Sequence, residues 1–259
     1  MRRIYTGEMP LVGAGGAPAA PDGTVQPLFL VADSQLLFRA TGGGSFMERV
    51  RGRIGAEHPR AAYLGASNGD SPDFFALFTS AMEGVGITRC RMIPAAATTA
   101  DLAFLDDAHL VFLAGGDTHA GWRAFEATGV RDALVRRYLA GSVLLGLSAG
   151  AAQLGLVGRR EGNTDPLATF PTLGLVPCAV DVHDEASGWR ALRALVAARR
   201  GGISGLGIPR GGGAIYHPDH TVEAVRHPVW EVAWRDGALG MSQRFPAARA
   251  NDGGLHAGS

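Results

Sequence analysis

Ser142-Val-Leu-Leu-Gly-Leu-Ser-Ala-Gly-Ala151 is the stretch of this 259-residue chain whose reading decides the fold. Val143 to Leu145 is a short apolar run of the kind that suits a strand buried on both faces. Gly146-Leu147-Ser148-Ala149-Gly150 follows with Gly-x-Ser-x-Gly spacing, and Ala151-Ala152-Gln153-Leu154 can open a helix. Strand, tight turn and helix are the context in which that spacing presents a serine nucleophile. Such a turn holds its serine in a strained conformation, so strand and helix approach where a Cβ would clash, and glycine answers that need. The expected result is a Ser148 hydroxyl standing above the sheet edge, with the Ala149 N–H aimed at the same space.

Outward from this turn, apolar runs alternate with helical patterns. Leu28–Ala32, Ala61–Gly65, Arg91–Pro94 and His109–Ala114 read as strands. Ser45 reads as the N-cap of a helix through Ile54, and helices are expected over 72–84, 100–107, 118–127 and 130–140. This alternation predicts an α/β protein with a mainly parallel, doubly wound sheet. Ligand sites in such sheets form beyond the carboxyl ends of the strands. Two loops leave those ends in succession, Ala114-Gly-Gly-Asp-Thr118 and Leu147-Ser148-Ala149, and are expected to converge. Later come Leu175-Val-Pro177, a helix over 187–200, a strand and turn at Leu206–Pro209, and a β-rich end over 214–234. Residues 1–26 read as a flexible arm, 27–245 as a single domain, and 246–259 as a disordered tail.

The chain is 46% hydrophobic and 19% charged, which places it among globular proteins with a substantial core. Its 24 Lys and Arg balance 24 Asp and Glu, which speaks against a nucleic-acid or anionic-membrane binder. No apolar stretch reaches the roughly 20 residues of a membrane span. Cys90 and Cys178 do not make a disulfide framework and read as reduced core thiols, consistent with a cytoplasmic location. His217-Pro-Asp-His220 lacks a third ligand nearby, so no metal is expected there. Gly211-Gly-Gly213 lacks the Lys-Ser/Thr of a phosphate loop and reads as a turn.

A serine hydroxyl needs a base, and the base an orienting group. Of eight histidines, His183 stands out. It follows the apolar Leu173–Val180 run and precedes a helix, which suits a strand end level with the turn. Glu161 and Asp165, in the polar loop Gly158-Arg-Arg-Glu-Gly-Asn-Thr-Asp-Pro166, are the candidate orienting acids between them.

Three blocks resemble the S51 serine peptidases, the family that includes dipeptidase E and cyanophycinase. They are Phe112-Leu-Ala-Gly-Gly-Asp-Thr118, Gly146-Leu-Ser-Ala-Gly-Ala151 and Leu173-Gly-Leu-Val-Pro-Cys-Ala-Val-Asp-Val-His183. The resemblance spans about residues 28–225, and the ordered trio is far more specific than the serine motif alone. It implies a three-layer α/β/α sandwich like that of class I glutamine amidotransferases. It implies a Ser-His-acid mechanism on a small peptide, isopeptide or amide substrate, with Ser148 as nucleophile, His183 as base and no cofactor. Ala149 with Gly115 or Gly116 would form the oxyanion hole. Counting back from the third block puts Glu161 at the family's carboxylate, with Asp165 as fallback. Asp117 and Thr118 in the first block, Asp184 beside the histidine, and Arg190 on the helix that follows are the substrate-binding residues expected with it. Pairing as a homodimer is a further family trait.

The chain also departs from the pattern. Val182 and Asp184 flank the histidine where relatives carry other residues, Glu185 is next, and Arg210 stands where relatives often carry an acid. These changes leave two alternatives beside a plain peptidase. One is an amidohydrolase or acyltransferase of a specialised metabolite on the same serine. The other is an inactive relative that binds a small molecule or a partner. A cysteine-based glutamine amidotransferase is not expected, since neither cysteine lies on such a turn.

Overall fold

The computed structural model describes residues 25–41, 44–160 and 162–247. The expected arm through residue 24, the glycines at 42 and 43, Glu161 and the tail from 248 lie outside the described residues.

The central sheet has seven strands, in the spatial order Val222–Val225, Gly213–Tyr216, Leu28–Val31, Val143–Leu147, Leu110–Leu113, Arg60–Leu64 and Arg89–Ile93. The last five run parallel, and the first two form an antiparallel edge. Four of the five parallel strands are short and mostly apolar because both of their faces are covered, whereas Arg89–Ile93, at the sheet edge, leaves Arg89 and Arg91 exposed. Alternate side chains divide between two cores, as the pleat requires. Leu28, Leu30, Val111, Leu113 and Leu144 enter one cluster, while Phe29, Val31, Leu110, Phe112, Val143 and Leu145 enter the other. The first core is filled by the helices Thr99–Asp106, Thr118–Thr128, Val130–Leu139 and Ala149–Leu154. The second is filled by Phe46–Arg51 and Pro72–Glu83. The architecture is a three-layer α/β/α sandwich with a mainly parallel sheet, as the sequence implies.

A second sheet of four strands stands beside the first, in the order Ala179–Val182, Gly205–Ile208, Val229–Arg235, Ala238–Arg244. The helix Arg190–Arg199 packs on it through Leu192, Leu195 and Val196, with Trp189 buried alongside. Its first two strands are parallel, with Val182 opposite Ile208, so both end at the same edge.

Several boundaries differ from expectation. The helix capped by Ser45 has the full reciprocal capping box with Glu48 but ends at Arg51 rather than Ile54, at the poor helix former Gly52. The helix expected from Ser187 starts at Arg190, because Gly188 and Trp189 both take positive φ, of 66° and 59°, and cannot continue a right-handed turn. Past the irregular Leu175–Pro177 segment, the strand that leads to His183 is Ala179–Val182.

Candidate active site

The Val143–Leu147 strand ends between its two parallel neighbours, with Leu147 opposite Val31 and Gly146 opposite Leu113. The Ser148 N–H still donates to the Val31 carbonyl at 2.9 Å, and its own carbonyl already accepts from Ala151 and Ala152. One residue therefore ends the strand and starts the helix. It does so at φ 51°, ψ −110°, a conformation that costs a non-glycine residue about 1–3 kcal/mol. Glycines on either side make the turn possible. A Cβ on Gly146 would lie 2.5 Å from the Gly150 carbonyl oxygen, and one on Gly150 would lie 2.1 Å from that of Leu113.

His183 follows the Ala179–Val182 strand of the second sheet. Its N–H donates to the Ile208 carbonyl at 2.9 Å, and its φ of 45° turns the chain sharply there. The imidazole Nε2 lies 2.9 Å from Ser148 Oγ. With the ring proton on Nδ1, Nε2 is placed to accept the hydroxyl proton. Nδ1 has no hydrogen-bond partner among the described residues.

The Gly115–Thr118 loop runs past the same hydroxyl. Gly116 has φ +130°, and a Cβ there would come within 2.0 Å of the Ser67 carbonyl oxygen. Buried Gln153 ties this loop to the helix after Ser148, donating to the Thr118 carbonyl at 3.0 Å and to Ser67 Oγ at 3.1 Å. The N–H groups of Gly115, Gly116 and Ala149 have no acceptor among the described residues. Such donors are what a developing oxyanion needs.

Two hollows open from the Ser148–His183 pair. One, of about 240 Å³, is polar, and Gly116, Thr118, Ala149, Arg159, Asn163 and Asp181 line it. The other, of about 270 Å³, is largely aromatic and aliphatic, with Gly115 and Arg210 on its wall. Asp181 was not anticipated. It lies on the Ala179–Val182 strand two residues before His183 and lines the polar hollow with it. One carboxylate oxygen accepts the Val182 N–H at 3.1 Å, and the other is buried with no partner among the described residues. Burial pushes its carboxyl above the usual range, opposed by the Arg159 guanidinium.

Other expected residues lie elsewhere. Asp117 caps its helix, accepting the N–H groups of His119 and Ala120. Asp165 accepts the Leu167 N–H and lines a neighbouring hollow with Asp184 and Arg190, so it is not brought to His183. Arg159 and Asn163 line both that hollow and the polar one. Glu161 is outside the described residues, and its chain neighbours Arg160 and Gly162 line the polar hollow. His217 and His220 pair with Glu223 and the Tyr216 hydroxyl.

Among solved structures, a peptidase from an acI-B1 Actinobacterium superposes on 87% of this chain and 96% of its own, with a TM-score of 0.65 at 16% identity. A protein of Listeria monocytogenes EGD-e assigned to the peptidase E type superposes on 78% of this chain and 99% of its own, with a TM-score of 0.58 at 15% identity. Likeness at these identities concerns the fold. In sequence, the chain is 38% identical to Peptidase E of Streptomyces coelicolor over 85 residues, 32% of this chain and 35% of that relative. The match thus spans about a third of the curated relative's length. The profile of peptidase family S51 matches residues 41–224, well over half of the chain. The chain belongs to peptidase family S51.

Proposed function

We propose that this protein is a serine peptidase or amidohydrolase that cleaves a small peptide or amide through an acyl-enzyme on Ser148. The observation that carries this is the 2.9 Å contact between Ser148 Oγ and His183 Nε2 at a strained turn beside unpaired backbone donors. In this reading, His183 takes the Ser148 proton as Oγ bonds the substrate carbonyl carbon. The carbonyl oxygen gathers charge against the Ala149 N–H and that of Gly115 or Gly116. His183 then returns the proton to the leaving nitrogen as the C–N bond breaks, and water repeats the sequence to release the acid. Thr118 and the polar hollow would receive the rest of the substrate. No step calls for a cofactor.

The group that orients His183 is proposed to be Glu161, supported by the resemblance and by Arg160 and Gly162 lining the polar hollow. A second reading assigns the task to Asp181, favoured by a buried oxygen with no partner among the described residues in the hollow that His183 also lines. Turnover of a panel of dipeptides and isoaspartyl amides tests the whole. Ser148→Ala is expected to lower kcat by about 10³-fold or more at constant fold, and unchanged turnover overturns the mechanism. Glu161→Gln, Asp181→Asn and Asp165→Asn compared together identify the positioning residue. Only that one is expected to reduce kcat by orders of magnitude and move the acid limb of the pH profile with KM held.

A further inference from the structure

The apolar hollow beside Ser148 has a feature that the hydrolytic mechanism leaves unused. Leu37, Tyr63, Phe74, Leu77, Phe78 and Phe112 line it, and Arg210 closes one side. Phe74 and Leu77 leave 55% and 46% of their surface exposed, although they sit on a helix whose other large residues are packed. Exposed aromatic and aliphatic side chains facing a concave wall next to a nucleophile are groups awaiting an apolar partner.

Arg210 supplies the polar half. It lies on the turn after Gly205–Ile208, the strand whose last residue accepts the His183 N–H, so both side chains rise from one edge. The turn is pinned on both sides: the Arg210 N–H donates to Glu185 Oε1 at 3.2 Å, and the Gly211 N–H to Asp33 Oδ2 at 2.7 Å. Asp33 also lines the hollow, but its carboxylate accepts the Gln35 and Gly211 N–H groups. The Arg210 guanidinium makes no hydrogen bond or ion pair among the described residues. Its planar fork of donors is suited to a carboxylate.

We infer that this hollow is the leaving-group subsite, and that it takes an amino acid with a large apolar side chain and a free α-carboxylate, held by Arg210. This rests on the serine hydrolase reading and names its substrate class. The assignment to the leaving side follows from chemistry. An apolar residue has no side-chain carboxyl, so on the acyl side its α-carboxyl would be consumed in the scissile amide; one that still carries an α-carboxylate belongs to the amine that departs. The substrate is therefore a dipeptide or an N-acylated amino acid ending in phenylalanine, leucine or a similar residue. Its volume of about 270 Å³ suits one such residue better than an extended chain. Hydrolysis adds water across the amide: the acyl carbon takes hydroxyl, and the apolar amino acid leaves with the proton that His183 delivers.

Protection of Ser148 against fluorophosphonate labelling tests this with L-phenylalanine, L-phenylalaninamide and L-alanine as probes. L-phenylalanine is expected to protect at about tenfold lower concentration than either of the others. Arg210→Gln is expected to erase the difference between acid and amide, with Arg210→Lys restoring part of it. Phe74→Ser is expected to reduce the advantage of phenylalanine over alanine. Labelling that proceeds with equal protection by acid and amide, or a difference unchanged in Arg210→Gln, overturns the subsite while the serine reading stands. Absence of labelling in the folded native protein overturns the serine reading and this inference together.

Discussion

Replacing Gly150 by alanine adds one methyl group where the helix after Ser148 presses on the sheet backbone. Its carbon would lie 2.1 Å from the Leu113 carbonyl oxygen, 2.6 Å from the carbonyl carbon and 2.7 Å from Leu113 Cβ, where ordinary contact begins at 3.4 Å. Two of these three atoms are backbone of a central sheet strand, so no side chain can swing aside. The helix Ala149–Leu154 must withdraw by about 1 Å from the sheet, taking the Ser148 carbonyl and the Ala149 N–H with it. Overpacking of this kind costs about 1–3 kcal/mol. A displacement near 1 Å at a reacting group can cost about 10²-fold in rate. Gly55→Ala is the matched control, because a Cβ there meets nothing within 4 Å and the backbone has no positive φ. It is expected to be neutral, or stabilising by up to about 1 kcal/mol through the unfolded chain. Urea unfolding of both variants, followed by fluorescence, reads the stability difference, and labelling of Ser148 reads the geometry. Equal midpoints for the two variants would refute the argument that the glycines hold strand and helix together.

Other outcomes follow from the same structure. Burial raises the folded-state pKa of Asp181, so between the unfolded value near 3.9 and the folded value the native state holds a proton that the unfolded chain has released. Its contribution to stability therefore falls as pH rises through that window. Asp181→Asn is expected to melt above the native protein at pH 7, with the gap closing toward pH 3; a gap constant with pH contradicts the assignment. Burial, with Glu83 adding to it, pushes the Cys90 thiol up to about 11, and burial with Glu231 pushes Cys178 to about 12. Both are expected to react with iodoacetamide at pH 8 far more slowly than a free thiol, and rapid alkylation of the native protein would count against that burial.

What the sequence made legible was decided by patterns that carry their own periodicity. Four of the five parallel strands are mostly apolar runs, and the Ser148 turn has Gly146 where strand meets helix and Gly150 where the helix meets the backbone of Leu113. The second sheet was harder to see. Ala238–Arg244 alternates but is mostly exposed, so it offers no buried face to recognise. The Ala179–Val182 strand is short and preceded by an apolar stretch that stays irregular. Asp181 sits inside that strand, in a stretch whose apolar character gave no sign of a buried carboxylate. Asp117, Asp184 and Arg190 illustrate a different limit. Nearness in sequence to a catalytic motif does not fix direction: Asp117 caps its helix, while Asp184 and Arg190 line a hollow that adjoins the polar one through Arg159 and Asn163. The aromatic hollow was also hidden, since Phe74, Leu77, Phe112 and Arg210 come from three distant segments that only the sheet order brings together.

The hydrolytic mechanism turns on Ser148 being an activated nucleophile. Intact-protein mass spectrometry after exposure to a fluorophosphonate, with Ser148→Ala alongside, reads it directly. A single adduct is expected on the native protein and none on the variant. No adduct on the folded native protein, or an adduct that persists in Ser148→Ala, would contradict it.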